Sequence, residues 1–184
     1  MRNSLIAISI AALLASPAAA QTWPTKPITL VVPYAAGGPI DVLGRFMSSA
    51  LSEQLGQQVV VENVGGAGGM SGSAKVAKAA PDGYTILLSG SAVLAIVPLM
   101  YKTPLYDPNT DFEHAALFSD SARVLIARKD LPVNSLADFA AYAKANQAKM
   151  QFGSAGVGSG SHFACAKLNA VLGIDTVHVP SAKP

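Results

Sequence analysis

Apolar positions along this chain alternate between two rhythms. Ile28-Thr29-Leu30-Val31-Val32 is a nearly continuous apolar run with β-branched residues, the pattern of a strand covered on both faces. Val42, Leu43, Phe46, Met47, Ala50, Leu51 and Leu55 then recur at helical spacing, with Arg45, Ser48, Ser49, Ser52 and Glu53 between them. Gly56 is placed to end that helix as a C-cap. Val59 to Glu62 predicts a second buried strand and Tyr84 to Leu88 a third, which follows the turn signal Pro81-Asp82-Gly83. Ser71 is positioned to cap a helix over Ala74 to Ala79, and Thr103 to Asp111, rich in Pro, Asp and Asn, predicts an extended surface connection. Ala115 to Phe118 and Arg123 to Ala127 are short apolar runs that predict two further strands. Ser135 predicts the cap of a helix from Leu136 to Asn146, with Asp138 as acidic partner and an apolar face of Leu136, Phe139, Ala140, Tyr142 and Ala143. Gln151-Phe152-Gly153 predicts a brief strand. A helix through Ala164, Leu168, Val171 and Leu172 follows, and a last strand begins at Thr176-Val177-His178-Val179. Strands alternating with helices predict an α/β fold.

Two strand-to-helix turns carry the candidate chemistry. In Tyr34-Ala35-Ala36-Gly37-Gly38-Pro39-Ile40-Asp41, glycines let the backbone approach a ligand, and Pro39 suits the first helical position, where no N–H is needed. Free amides and the positive end of the helix dipole would then face the turn, a generic site for a carboxylate or phosphate. A plain tight connection explains the same residues. The second turn, Ser154-Ala155-Gly156-Val157-Gly158-Ser159-Gly160-Ser161-His162, again joins a strand to a helix through glycines and hydroxyls. Facing each other, the two turns could hold the two ends of an anion. Ser89-Gly90-Ser91 follows the third strand, where open α/β sheets place ligand contacts; ordinary loop chemistry accounts for it equally. The candidate ligand-binding residues are therefore Tyr34, Ala36, Gly37, Gly38, Asp41, Ser89, Ser91, Ser154, Ala155, Gly158, Ser159, Ser161 and His162. Asn63 to Gly69 has neither a dinucleotide-binding nor a P-loop spacing and reads as a flexible connection.

Composition narrows the partners. The chain of 184 residues is 51% hydrophobic and 13% charged with a net charge of +2, and it has no run of Lys or Arg, which argues against a nucleic-acid partner. Arg2, the apolar stretch Leu5 to Leu14 and Ala18-Ala19-Ala20 read as a secretory leader cleaved after Ala20. The stretch is shorter than the roughly 20 apolar residues of a membrane span. Cys165 is the only cysteine, so no internal disulfide forms, and none lies near Ala20 to carry a lipid. Export to a bacterial periplasm is the expectation, and no motif calls for a cofactor. His114, His162 and His178 are too scattered in sequence to suggest a metal site.

Several segments together resemble one family: Pro27-Ile28, the Pro33-Tyr34 to Asp41 turn, Val59 to Asn63, Ala79-Ala80-Pro81-Asp82-Gly83-Tyr84-Thr85, Tyr106-Asp107-Pro108, Tyr142 to Asn146, Gly153 to Ser159 and Val177-His178-Val179-Pro180. It is the Bug family of periplasmic solute receptors, the substrate-binding component of tripartite tricarboxylate transporters. The resemblance covers Trp23 to Pro180. It implies a type II periplasmic-binding-protein fold, with two lobes closing on a small organic acid held by backbone amides, hydroxyls and waters. It also implies integral membrane transporter subunits as partners. A first lobe over 21–122 and a partial second lobe over 123–184 follow from it. Ile40 stands where the family commonly has Thr or Ser. Asp41 would serve the helix start or orient the loop, since direct contact suits an amino group better than a carboxylate. The family continues beyond Val179-Pro180, so by this resemblance the chain lacks the return to the first lobe, and a non-functional receptor fragment is one alternative.

A hydrolase is the rival from another class, with Ser161 or Cys165 as nucleophile and His162 as base. No G-x-S-x-G elbow and no acid partner accompany them. A buried cysteine acting as a small hydrophobe accounts better for Cys165.

Overall fold

The computed structural model describes residues 23–120, 122 and 124–180. The leader expected over 1–20 and the final Ser181 to Pro184 lie outside them. Strand β1 (Ile28–Val32) is central in a parallel three-stranded sheet, flanked by β2 (Val59–Asn63) and β3 (Thr85–Leu87). In register Ile28 meets Val59, Val32 meets Asn63 and Leu30 meets Ile86. Ile28, Leu30, Val31 and Val32 are fully buried, as their unbroken apolar run requires of a strand covered on both faces.

Helix α1 (Pro39–Leu55) covers one face, packing Met47, Leu51 and Leu55 on Ile28, Leu30 and Val59. It runs from Pro39 at its first turn to a left-handed Gly56, as its sequence predicts. Its apolar face is narrower than predicted, because α1 docks through Gly44, where a Cβ would lie 3.0 Å from Val32 Cγ2. That approach rotates Val42 and Phe46 outward, leaving Phe46 72% exposed. Helix α2 (Met70–Ala77) starts before the predicted position, and Ser71 is inside it instead of capping it. Met70 and Ala74 form a second core with Val93 of α3 (Ser91–Ala95), Val97 of α4 (Val97–Met100) and Tyr106.

Tyr106 corrects the reading of Thr103 to Asp111 as a surface connection. It is buried, its hydroxyl donates to the Val93 carbonyl at 2.5 Å, and Phe112 meets its ring edge-on. Tyr106→Phe is expected to lower stability by about 1 kcal/mol, the ordinary net value of such a bond. Urea unfolding checks this, and an unchanged midpoint would show that the bond contributes nothing.

A second parallel pair lies further along: β4 (Gln151–Ser154) beside β5 (Val177–Pro180), with Phe152 opposite His178. Helix α6 (Gly160–Leu172) packs on β4, and α5 (Leu136–Asn146) precedes it. Ser135 caps α5 by accepting from the Asp138 amide at 3.1 Å, while the Asp138 carboxylate accepts from Asn134 N. On α5 only Ala143 is buried; Leu136, expected on the apolar face, is exposed.

The strands expected at 115–118 and 123–127 do not form among the described residues. Residues 115–118 and 124–127 pair with no strand, and Leu117 and Ile126 are 87% and 85% exposed. Apolar, β-branched character makes a run suitable for a sheet, but a strand exists only where another backbone completes its ladder. No described helix is long and apolar enough to cross a membrane.

Candidate functional site

The carboxyl ends of β1 and β3 open onto a cleft of about 1900 Å³. Its walls are the turn after β1, residues 65–69, the Ser89–Ser91 segment and the turn after β4. Of the candidate residues, Tyr34, Ala36, Gly37, Gly38, Ser89, Ser91, Ala155, Ser159 and Ser161 line it. Asp41, Ser154, Gly158 and His162 stand behind that surface and shape the loops that form it.

Asp41 organises the first turn. Only 2% exposed, it accepts from Gly37 N at 2.8 Å and Arg45 Nε at 3.0 Å on one oxygen, and from Asn63 Nδ2 at 3.0 Å on the other. The Arg45 guanidinium, then the Gly37 amide, hold its carboxyl down to about 2. Asn63 also donates to the Tyr34 carbonyl at 3.1 Å. The carboxylate thus fastens both ends of the turn and is turned toward the protein. Asn63 was missed as a site residue. Its signal was position, since it ends β2 at the carboxyl edge of a parallel sheet.

Gly38 has no side chain to cap α1, so the amides of Ile40 and Asp41 receive no side-chain cap at the helix start. Tyr34 lies nearby with its hydroxyl against Ser89. Burial pushes the phenol up, keeping it a neutral donor. Helix α6 begins differently: Ser159 is buried and caps it, accepting from His162 N at 3.2 Å, while Ser161 Oγ accepts from Ala155 N at 3.1 Å. Among the described lining residues there is no Lys or Arg, and the acidic residues are Asp111, Glu113 and Asp120. An anion held here meets neutral donors.

The segment 65–69, expected to be a flexible connection, makes a defined backbone contact with the second turn. Gly68 has φ +68°, and a Cβ there would lie 2.7 Å from the Val157 carbonyl oxygen and 3.0 Å from Gly158 C. The two glycine-rich loops touch backbone to backbone, an approach that only glycine allows. This contact links the three-stranded sheet's loops to the turn after β4.

The nucleophile pairs of the hydrolase reading do not form. Ser161 Oγ pairs with Ala155 N and Ser159 Oγ, and His162 Nδ1 accepts from Gly158 N at 3.3 Å. The histidines are less scattered than their sequence positions imply: His162 and His178 stack, while His114 lies apart against the Pro108 carbonyl. No group of three or more metal-binding side chains occurs among the described residues.

Comparison with known proteins matches this architecture. A protein from the TAR-I ttuE-ttuC' intergenic region of Agrobacterium vitis is 41% identical over 98% of this chain and 52% of its own length. Among solved structures, MatC from Rhodopseudomonas palustris with bound malate aligns with TM-score 0.79 and 35% identity, over 86% of this chain and 54% of that one. R. palustris Rpa4515 with adipate aligns at TM-score 0.71 and 35% identity, covering 86% of this chain and 53% of that one. The chain spans about half the length of the curated relatives it matches. The fold is that of the TctC-type periplasmic binding proteins, of which this chain covers about half. With residues 43–182 matching the family description, the chain belongs to the TctC family, the tripartite tricarboxylate transporter family receptors.

Proposed function

We propose that this protein is a periplasmic solute receptor that captures a small dicarboxylate in the cleft between the turn after β1 and the turn after β4. The observation that carries the reading is the start of α1, which lacks a side-chain cap and faces hydroxyl-bearing residues across a cleft without a lining cation. Amides at a helix N-terminus bind carboxylates without the cost of desolvating a buried cation. Malate and adipate in two related structures support a two-carboxylate ligand. One carboxylate would meet Gly37, Gly38 and the α1 amides beside Tyr34, Ala36, Ser89 and Ser91. The other would meet Ala155, Ser159 and Ser161, with Asp41, Ser154, Gly158 and His162 holding the turns. In this scheme residues 21–122 form the first lobe and 123–184 part of a second. A leader over 1–20 directs export, and membrane subunits of a tripartite transporter receive the ligand. The protein binds and performs no reaction.

The test is a thermal-shift and calorimetry series with malate, adipate and citrate on the purified protein. Ligand at 100 times its dissociation constant stabilises by about 2.7 kcal/mol. Gly38→Val keeps a compatible backbone, because a Cβ there meets only the Ala35 carbonyl oxygen at 3.4 Å, but it covers the helix start. This variant is expected to fold and to lose the shift. A cooperative transition that no dicarboxylate raises, or full affinity in Gly38→Val, overturns the reading.

A further inference from the structure

Behind the turn after β4 lies a stack of three rings. The register sets Phe152 beside His178, with centroids 4.8 Å apart at 21°, and α6 lays His162 over His178 at 4.1 Å and 26°. Each imidazole is tied to a different part of the turn. His178 Nε2 lies 2.6 Å from Ser154 Oγ, which also accepts from Gly156 N at 3.1 Å. His162 Nδ1 accepts from Gly158 N at 3.3 Å. Because an amide N–H only donates, His162 must be neutral with its proton on Nε2. Gly158 in turn is buried against the second core: a Cβ there would lie 3.4 Å from Met100 Sδ and 3.6 Å from Val97 Cγ2.

We infer that His162 and His178 are positioning residues that hold the second turn in its ligand-binding form only while His162 is neutral, so that one proton releases Gly158 and weakens capture in mild acid. This rests on the carboxylate-receptor reading for its effect on ligand, but not for its effect on the turn.

The two histidines answer protonation differently. His178 faces a hydroxyl, which accepts as readily as it donates, so its bond survives a proton. His162 faces an N–H, so a proton on Nδ1 sets two donors against each other. His178 on β5 is the titratable group in contact with it. Among the described residues, β4, the turn 155–159 and α3 carry none, and α6 itself adds Cys165 and Lys167 but no acid. Nothing on these elements offsets a second positive charge. Burial, then the His178 charge, lowers the His162 imidazole below its ordinary value. Its contribution is therefore complete above about pH 6.5 and is lost as pH falls through the lower folded value.

The experiment follows the Gly158 amide of the ligand-free protein by NMR from about pH 5 to 8, and measures malate affinity near pH 5.5 and 7.5 by calorimetry. Gly158 is expected to shift in one transition below about 6.5, and malate to bind about fivefold more weakly in acid, the factor for one ordinary hydrogen bond. His162→Gln supplies a carbonyl acceptor that does not titrate and should flatten both profiles. His178→Phe keeps the stack, removes the neighbouring charge and should move the Gly158 transition upward. The inference is overturned if Gly158 titrates identically in His162→Gln, or if malate affinity is unchanged between the two pH values while Gly158 titrates. A protein that binds no malate at either pH yet keeps a His162-dependent transition at Gly158 supports the hold on the turn and removes only the carboxylate reading.

Discussion

Gly72→Ala is expected to lose about 3 kcal/mol of stability, the upper part of the range for overpacking a core. On an exposed helix the same change would stabilise, by up to about 1 kcal/mol, because alanine restricts the unfolded chain and favours the helix. Gly72, however, is buried in α2, and a Cβ there would lie 2.6 Å from the Val64 carbonyl oxygen and 2.8 Å from both Pro33 Cα and Cβ. Two of these three atoms are backbone, on separate segments, and none is the end of a flexible side chain that could swing away. Relief requires moving α2 off the end of β1, which also disturbs the cleft wall at Gly69 and Tyr34. Against a total stability of about 5–15 kcal/mol the loss is large, and Gly72→Val should abolish cooperative folding. Circular dichroism during urea and thermal unfolding measures it. An alanine variant melting at or above the parent would show that α2 is free to shift and that the close contact is not a constraint.

Asp41→Ala is expected to cost about 2–4 kcal/mol and to abolish ligand binding. It leaves the Gly37 amide and the Asn63 carboxamide without their acceptor, each at the low end of about 1–3 kcal/mol because Gly37 is exposed and Asn63 half-buried. Arg45 adds less, since its guanidinium is largely exposed and its ion pair is screened. Asp41→Asn is the sharper test, because an amide can satisfy only one flank and turns a donor toward the other. The acid limb gives a second readout. The folded carboxyl titrates at about 2, below its ordinary value, so its contribution is complete above about pH 4 and is lost as pH falls toward 2. Asp41→Asn should flatten that part of the stability–pH curve. A curve unchanged from the parent would show that other carboxylates set the acid limb.

Both effects show where sequence reasoning reached and where it stopped. The boundaries of β1, α1 and α5 were legible because their determinants are local: an unbroken β-branched run, Pro39 and Gly56 at the ends of α1, and Ser135 with Asp138 at the start of α5. The exposed Phe46 and the unpaired runs at 115–118 and 124–127 were not legible. Period and propensity report that a surface is apolar, whereas its burial depends on which partner reaches it. The role of Asp41 was half legible. Its place at the helix start suggested loop orientation, but the three donors that surround it come from residues 37, 45 and 63.

By itself the sequence determined an alternating α/β chain with a glycine-containing turn at the carboxyl end of its central strand, and a family resemblance strong enough to name. Those properties follow from short-range sterics and hydrophobic periodicity, which act within a few residues. Only the tertiary structure decided that Gly68 meets Val157, that Asn63 closes the Asp41 network and that His162 stacks on His178. Each of these joins segments separated by many residues. Their geometry is fixed by how the helices dock on the two sheets, and no local pattern encodes that distance.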